Sequence, residues 1–307
     1  MKNLKNYVSI LSLVLVSGLN QNVAHAQIET TTKRKEGAQV IIITGSASGF
    51  GKAAAEKLVA KGHIVYGGDI NVEGNAYLNK IGGYALEMDV TDDSQVRAGI
   101  ERIIKEQGRI DVLINNAGYG EYATIENIKI DDLKHQFDVN VFGYARLQQA
   151  VLPHMRKQGS GRIIVVSSVI GKFSLPMLGW YASTKHAVEG MADALRQEVA
   201  QFGIDVVKIQ PGAANTGFGE TAFARLAQSN IPDAYRAIID ASVKALEKDF
   251  ESAPGAEDTA ETIVDATELL HPKITYITAN AQEIVRLRKE MSEEDFYKIF
   301  SKNYPNK

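Results

Sequence analysis

A tyrosine and a lysine four positions apart lie in the stretch Tyr181-Ala182-Ser183-Thr184-Lys185. On a helix that spacing places both side chains on one face. A phenol ordinarily ionises near pH 10, roughly three units above neutrality, and a neighbouring ammonium favours its phenolate. Such a pair can exchange a proton with a substrate oxygen. Ser168 stands 13 residues before Tyr181, at the end of an apolar run. Its hydroxyl can hold the same oxygen and stabilise a developing alkoxide. Asn140 falls inside an otherwise helical pattern (DVNVFG). An amide suits neither packing nor propensity there, so a polar task is expected of it. Together these residues point to the interconversion of an alcohol and a carbonyl group.

That reaction needs a hydride carrier, and the sequence offers a place for one. Thr44 to Gly51 reads TGSASGFG, between a β-branched run and a helical stretch. Glycines let the backbone approach a pyrophosphate, and a helix N-terminus attracts its charge. Gly45, Ser48, Gly49, Phe50 and Gly51 are the candidate contacts. Asp69 closes the next strand. A carboxylate there accepts both adenosine ribose hydroxyls and repels a 2′-phosphate. Ser46 and Ile70 are both expected beside that phosphate and neither is basic. NAD(H) is therefore favoured over NADP(H).

The elements that must position these residues alternate along the chain. Short β-branched or apolar runs at 40–43, 64–69, 84–88, 111–114, 162–166, 206–209 and 274–278 read as strands. Between them 52–61, 94–107, 131–157, 181–202 and 282–291 read as helices, several of them closed by a glycine. Strand and helix in alternation imply a parallel sheet with right-handed crossovers and helices on both faces. Ligands of such sheets bind at the carboxyl ends of the strands, where the chemically informative residues fall.

Composition narrows the function classes. The chain has 307 residues, 45% hydrophobic and 23% charged, in the range of ordinary globular proteins. A net charge of -3 gives no reason to expect a nucleic-acid partner. With no cysteine, disulfides, thiolate chemistry and cysteine-bound metals are excluded. The six histidines are scattered without metal-ligand spacing, and no metal is expected. At the start, Lys2 and Lys5 precede an apolar stretch, 7–19, and then Ala24-His25-Ala26. That is the order of a secretory signal, so residues 1–26 are expected to be removed and the protein exported, as to a periplasm. Residues 27–37 read as a disordered leader. The alternative is a cytoplasmic protein, because nicotinamide cofactors are cytoplasmic metabolites.

The joint pattern resembles the short-chain dehydrogenase/reductase family, in its single-domain Rossmann branch. The resemblance runs over 38–300 and rests on TGSASGFG, Asp69, the MDVT around Asp89, NNAG at 115–118, Asn140, Ser168, YASTK, and Pro211-Gly212 with Thr216. It implies a three-layer α/β/α domain with a doubly wound parallel sheet, followed by a tail at 301–307. Tyr181 would give or take the proton, and Lys185 would lower its pKa and bind the nicotinamide ribose. Ser168 would position the carbonyl, and Asn140 would hold a water linking Lys185 to solvent. Asp89 and Val90 would meet the adenine. Asn116, Ala117 and Gly118 would line the adenosine side, and Pro211, Gly212 and Thr216 would flank the nicotinamide. Phe50 departs from the family's usual isoleucine without expected consequence. Family members are commonly dimers or tetramers, so a homo-oligomer is implied.

The stretches NNAGYGEY and MLGWYASTKHAVEG are similar to hydroxysteroid and retinol dehydrogenase-like members, a likeness too general to name a substrate. Phe173, Leu175 and Trp180 suggest an apolar pocket, and Phe218, Phe223 and Leu226 an apolar lid. The amphipathic stretch 293–304 is expected over the pocket or at an oligomer interface. Two other functions compete. A non-catalytic dinucleotide-binding redox sensor would commonly lack the tyrosine or the lysine, and both are present. A sugar epimerase or dehydratase of the extended branch favours a different glycine spacing and a larger substrate domain.

Overall fold

The computed structural model describes residues 37–301. The expected signal and leader lie outside them except for Gly37, as does the expected tail except for Ser301. Seven strands form one sheet: β1 Val40–Thr44, β2 Ile64–Asp69, β3 Tyr84–Glu87, β4 Val112–Asn115, β5 Gly161–Val166, β6 Ile204–Gln210 and β7 Thr275–Ile277. All pairs are parallel, in the order β3-β2-β1-β4-β5-β6-β7. The order reverses between β1 and β4, so the crossovers leave in opposite directions and a crevice opens at their carboxyl ends.

The inner strands are apolar on both faces because helices cover both. On one face Ile42, Leu113 and Ile163 pack with Tyr144, Leu147 and Val151 of α6 (Gly143–Gln158). Helices α4 (Asp93–Gln107) and α7 (Gly179–Val199) complete that layer. On the other face Ile41, Ile43, Val112 and Ile164 meet α1 (Gly49–Ala60) through Ala54 and Leu58, and α10 (Ala256–Glu268) through Ile263 and Val264. Each such aliphatic side chain stabilises the fold by about 1.5–3 kcal/mol through burial. Two short helices, α2 (Val72–Asn75) and α3 (Tyr77–Lys80), lead from β2 to β3.

Beyond the carboxyl ends of the strands lies a third apolar group. It is built from α8 (Gly217–Ala227), α9 (Asp233–Ser252), α11 (Gln282–Glu290) and α12 (Glu293–Ser301) around Phe173, Leu178, Phe296 and Phe300. Helices α9 and α10 occupy a stretch for which the sequence pattern suggested no element.

The single long helix expected over 131–157 is interrupted. Helix α5 (Ile130–Phe137) passes into one π-helical turn, Asp138–Phe142, before α6 begins. The turn carries an extra residue, and Asn140 within it is fully buried. Ion pairs and backbone contacts hold its flank: Arg146 Nη1 meets Asp138 Oδ1 at 2.7 Å and donates to the Asp138 carbonyl at 3.4 Å.

Arg162 on β5 is fully buried. Its Nη1 donates to the carbonyls of Ala266 and Thr267, both at 2.8 Å, and of Leu269 at 2.7 Å. Its Nη2 pairs with Asp205 Oδ2 at 2.8 Å. The guanidinium thus satisfies carbonyls at the end of α10 that have no helical partner. Arg162→Met should lower stability by roughly 3 kcal/mol, because those carbonyls would remain buried without donors. A urea unfolding midpoint equal to that of wild type would rule out this capping role.

Candidate active site

The glycine loop lies at the crevice. Gly45 adopts φ +69, and a Cβ on it would stand 2.9 Å from Ala117 Cα. Gly51 lies under the loop, where a Cβ would fall 2.1 Å from the Gly45 carbonyl oxygen and 2.6 Å from Asn116 Nδ2. The close approach, more than backbone freedom, dictates glycine there. Asn116 Nδ2 donates to the carbonyls of Thr44 at 2.9 Å and Gly45 at 3.2 Å. In return Thr44 Oγ1 accepts from the Asn116 and Ala117 amides, both at 3.1 Å. The ends of β1 and β4 are thereby joined across the point where they diverge.

Asp69 Oδ2 accepts from the Ala47 amide at 2.9 Å and Oδ1 from the Asn71 amide at 2.8 Å. Both oxygens keep acceptor capacity toward the cleft. Ile70 beside it is 72% exposed, leaving that edge open and uncharged. Ser46 does not lie where expected. It is fully buried, donates to Asn75 Oδ1 at 2.8 Å and does not line the cleft. Asp89 Oδ1 holds the Thr91 amide at 2.8 Å, and Val90 packs where a Cβ on Gly143 would stand, 2.8 Å from Val90 Cγ2.

One cleft of about 520 Å³ runs from this loop past Ser168, Tyr181 and Lys185. Gly45, Ser48, Gly49, Phe50, Asp69, Asp89 and Val90 line one part of it. Asn116, Ala117 and Gly118, then Pro211, Gly212 and Thr216, line the rest of the cofactor side. Gly51 and Asn140 do not reach the cleft wall and act by shaping what does. Asn140 Nδ2 donates to the Tyr119 carbonyl at 2.8 Å and to Thr184 Oγ1 at 3.2 Å. Its Oδ1 accepts from the Tyr119 amide at 3.0 Å. The side chain therefore clamps the segment after NNAG to α7.

Tyr181 and Lys185 share the buried face of α7, with Tyr181 in its first turn, where the helix dipole favours negative charge. The Lys185 ammonium is 5.8 Å from the Tyr181 ring centroid and donates to the Val166 carbonyl at 2.9 Å. Val166 is two residues before Ser168, so the lysine is fastened to the segment that carries the serine. Burial raises the Tyr181 phenol well above its ordinary value, and its hydrogen bond with Ser168 works in the opposite direction. Burial pulls Lys185 down to about 8, with the Glu189 carboxylate opposing the fall. In the chain by itself, burial thus outweighs the acidifying effect expected of Lys185 on the phenol. Ser168 Oγ also accepts from the Ile170 amide at 3.2 Å, which fixes its rotamer.

The substrate side is apolar, and of the apolar residues expected there only Phe218 lines it. Phe173 and Leu175 are buried among Phe296 and Phe300 and do not line the cleft; Trp180 is partly buried and also lies outside its lining. Phe218 does line it, with its ring 5.5 Å from that of Tyr181. Phe223 instead packs edge-on against Tyr122 and Phe250, and Leu226 is core. Helix α12 covers Phe173, not the cleft. The walls are completed by Tyr119, Tyr122, Leu178, Leu246 and Phe250, with His135 and Arg225 also lining the cleft. Tyr119 directly follows NNAG and Tyr122 stands three residues later, positions from which both could have been suspected. Leu246 and Phe250 belong to α9 and carry no local signal. Among the described residues no group of three or more histidine or carboxylate side chains could hold a metal ion.

A doubly wound parallel sheet, a glycine loop at its reversal point and a buried Tyr/Lys pair with a serine define a dinucleotide-dependent enzyme class. The family profile described as short chain dehydrogenase matches residues 39–227. The chain belongs to the short-chain dehydrogenase/reductase family. It is 46% identical over 180 residues to a 3-ketodihydrosphingosine reductase of Bacteroides thetaiotaomicron, covering 59% of this chain and 65% of that protein. It is 39% identical over 186 residues to an NADPH-dependent 3-dehydrocapnine reductase of Ornithobacterium rhinotracheale, covering 57% and 65%. The matched stretch thus spans slightly under two-thirds of either relative. A short-chain dehydrogenase/reductase of Burkholderia phymatum, solved in complex with NAD, superposes with a TM-score of 0.73 at 28% identity, covering 82% of this chain and 93% of that one. The loop, Asp69 and the cleft fit a nicotinamide dinucleotide.

Gly51→Ala should weaken NADH binding at least tenfold (roughly 1.4 kcal/mol), since the Gly45 carbonyl must move to admit the methyl group. Trp180 is the sole tryptophan, and quenching of its emission by NADH provides the titration. Unchanged affinity would show that the loop does not touch the cofactor.

Proposed function

We propose that the protein is an NAD(P)-dependent oxidoreductase that interconverts a ketone and a secondary alcohol. The observation that carries this reading is the buried constellation of Ser168, Tyr181 and Lys185 on one cleft with the glycine loop. When bound, the dinucleotide supplies the hydride in reduction and accepts it in oxidation. In reduction the substrate oxygen sits against Ser168 Oγ and the Tyr181 hydroxyl. Tyr181 gives its proton to that oxygen as the carbonyl carbon is reduced, and Lys185 steadies the resulting phenolate. Oxidation returns the proton to Tyr181. Burial of the phenol keeps it protonated at neutral pH, which suits the reductive direction.

Asp69, with Ile70 uncharged beside it, supports a preference for NAD(H). One relative is named as NADPH-dependent and one neighbour was solved with NAD, so the cofactor titration is decisive. The apolar walls from Tyr122 to Phe250 support a substrate with an aliphatic chain. The relatives named as a 3-ketodihydrosphingosine reductase and a 3-dehydrocapnine reductase favour reduction of a carbonyl group. The pattern of residues 1–26 supports export, and family habit supports a homo-oligomer.

Tyr181→Phe should lower kcat at least 100-fold (roughly 2.7 kcal/mol) while leaving NADH quenching of Trp180 intact. Near-wild-type turnover by this variant would remove Tyr181 from the chemistry. Parallel titration should give tighter binding of NADH than of NADPH, and the reverse order would overturn the role given to Asp69. Binding without turnover of any long-chain ketone would favour a non-catalytic sensor.

A further inference from the structure

A buried carboxylate stands behind the reacting groups, and the chemistry above gives it no task. Glu189 lies one helical turn beyond Lys185 on α7 and is 5% exposed. Its Oε2 meets the Lys172 ammonium at 2.7 Å and that of Lys208 at 3.2 Å. Its Oε1 accepts from Gln210 Nε2 at 2.8 Å. These partners come from two different segments. Lys172 ends the short turn Val169–Gly171 that Ser168 caps. Lys208 and Gln210 belong to β6, just before Pro211 and Gly212 on the cleft wall.

The two segments are also bound to each other, since the Val169 amide donates to the Pro211 carbonyl at 3.0 Å. Packing around the carboxylate is close. A Cβ on Gly171 would come within 3.1 Å of Glu189 Cγ, the Lys185 carbonyl and Ser167 Oγ. On its own helix Glu189 has Lys185 before it and Asp193 after it, the latter paired with Lys208. Lys185 in turn faces Tyr181 on α7, the Tyr144 ring at 5.7 Å from α6 and the Val166 carbonyl on β5. Glu189 is the carboxylate whose charge acts on that amine. Burial opposes its ionisation, but the hydrogen bonds from Lys172 and Gln210 help hold its carboxyl below the usual range.

We propose that Glu189 is a positioning residue of this site. Its carboxylate ties the Ser168 turn and the end of β6 to the helix bearing Tyr181 and Lys185. It also sets a negative charge beside Lys185, which favours the ammonium over the neutral amine next to the phenol. This inference rests on the oxidoreductase reading.

The sign of its effect follows from treating the two groups as one titrating pair. A neutral side chain at 189 lets the pair lose its proton at lower pH, and lets the amine give up more of it. Removal of the Lys172 cation acts in the opposite sense. The test is the pH dependence of kcat/KM for NAD⁺-dependent oxidation of 2-alkanols from butanol to dodecanol by the full chain. Glu189→Gln should move the acid limb down by about one pH unit and lower the plateau at least tenfold. Its KM for NAD⁺ should stay within about twofold of wild type, since no cofactor contact is removed. Lys172→Met should move the limb upward by less, because the ammonium is one-third exposed and partly screened.

Limbs that stay in place in both variants, even with lower plateaus, would leave Glu189 a purely structural residue and overturn the inference. Should Glu189→Gln fail to fold, the Lys172→Met limb decides alone. A wild-type protein that binds NAD⁺ but oxidises none of these alcohols, and reduces none of the matching ketones, refutes the oxidoreductase reading and this inference with it.

Discussion

Two strand ends that diverge must still present one continuous surface, and in this protein Asn116 makes them do so. Its amide bridges the carbonyls of Thr44 and Gly45 while the Thr44 hydroxyl takes two amides in return. The crossovers from β1 and β4 leave in opposite directions, and these bonds join the two ends just beyond their last paired residues, Ile43 and Ile114. Gly45 and Gly51 are glycine because this junction is so tight, with Ala117 and Asn116 standing where their side chains would be. The cofactor side of the cleft is therefore a consequence of how the sheet reverses.

The chemical side depends on a second set of ties, which converge on α7. Lys185 is fastened to β5 through Val166, and Ser168 two residues later is fixed by the Ile170 amide. Asn140 joins the Tyr119 segment to Thr184 on the same helix. Tyr181 is thereby surrounded by groups whose positions are set by backbone, and its own freedom is limited by burial. Burial also explains why the phenol rises and the amine falls when only the chain is considered. Charge that develops during reaction is met by groups already in place, with little need for rearrangement.

The alternation of apolar runs and glycine-closed helices made the sheet and most of its crossovers legible, since strands covered on both faces are apolar throughout. The loop, Asp69 and the Ser/Tyr/Lys set were legible because each needs a particular residue type at a strand end or on one helix face. What failed was whatever depends on partners distant in the chain. Ser46 looked available until the fold placed Asn75 beside it. Phe173 looked like a pocket wall, but α12 comes back to bury it under Phe296 and Phe300. Leu246 and Phe250 have no local pattern that distinguishes a cleft wall from ordinary packing. Asn140 stands out as an amide inside a helix, and the fold shows which groups it joins, the Tyr119 backbone and Thr184.

The π turn at Asp138–Phe142 has a further consequence, which concerns phase. Successive residues of a regular helix are about 100° apart, and one surplus residue offsets everything after it by about that angle. Tyr144, Leu147, Val151 and Met155 form the buried stripe of α6 that follows the turn. The turn thus sets the phase of α6 relative to α5. Beyond the bonds made by Asn140 and Asp138, the turn is constrained in length, since the loss of a single residue would change the phase of α6 against β5.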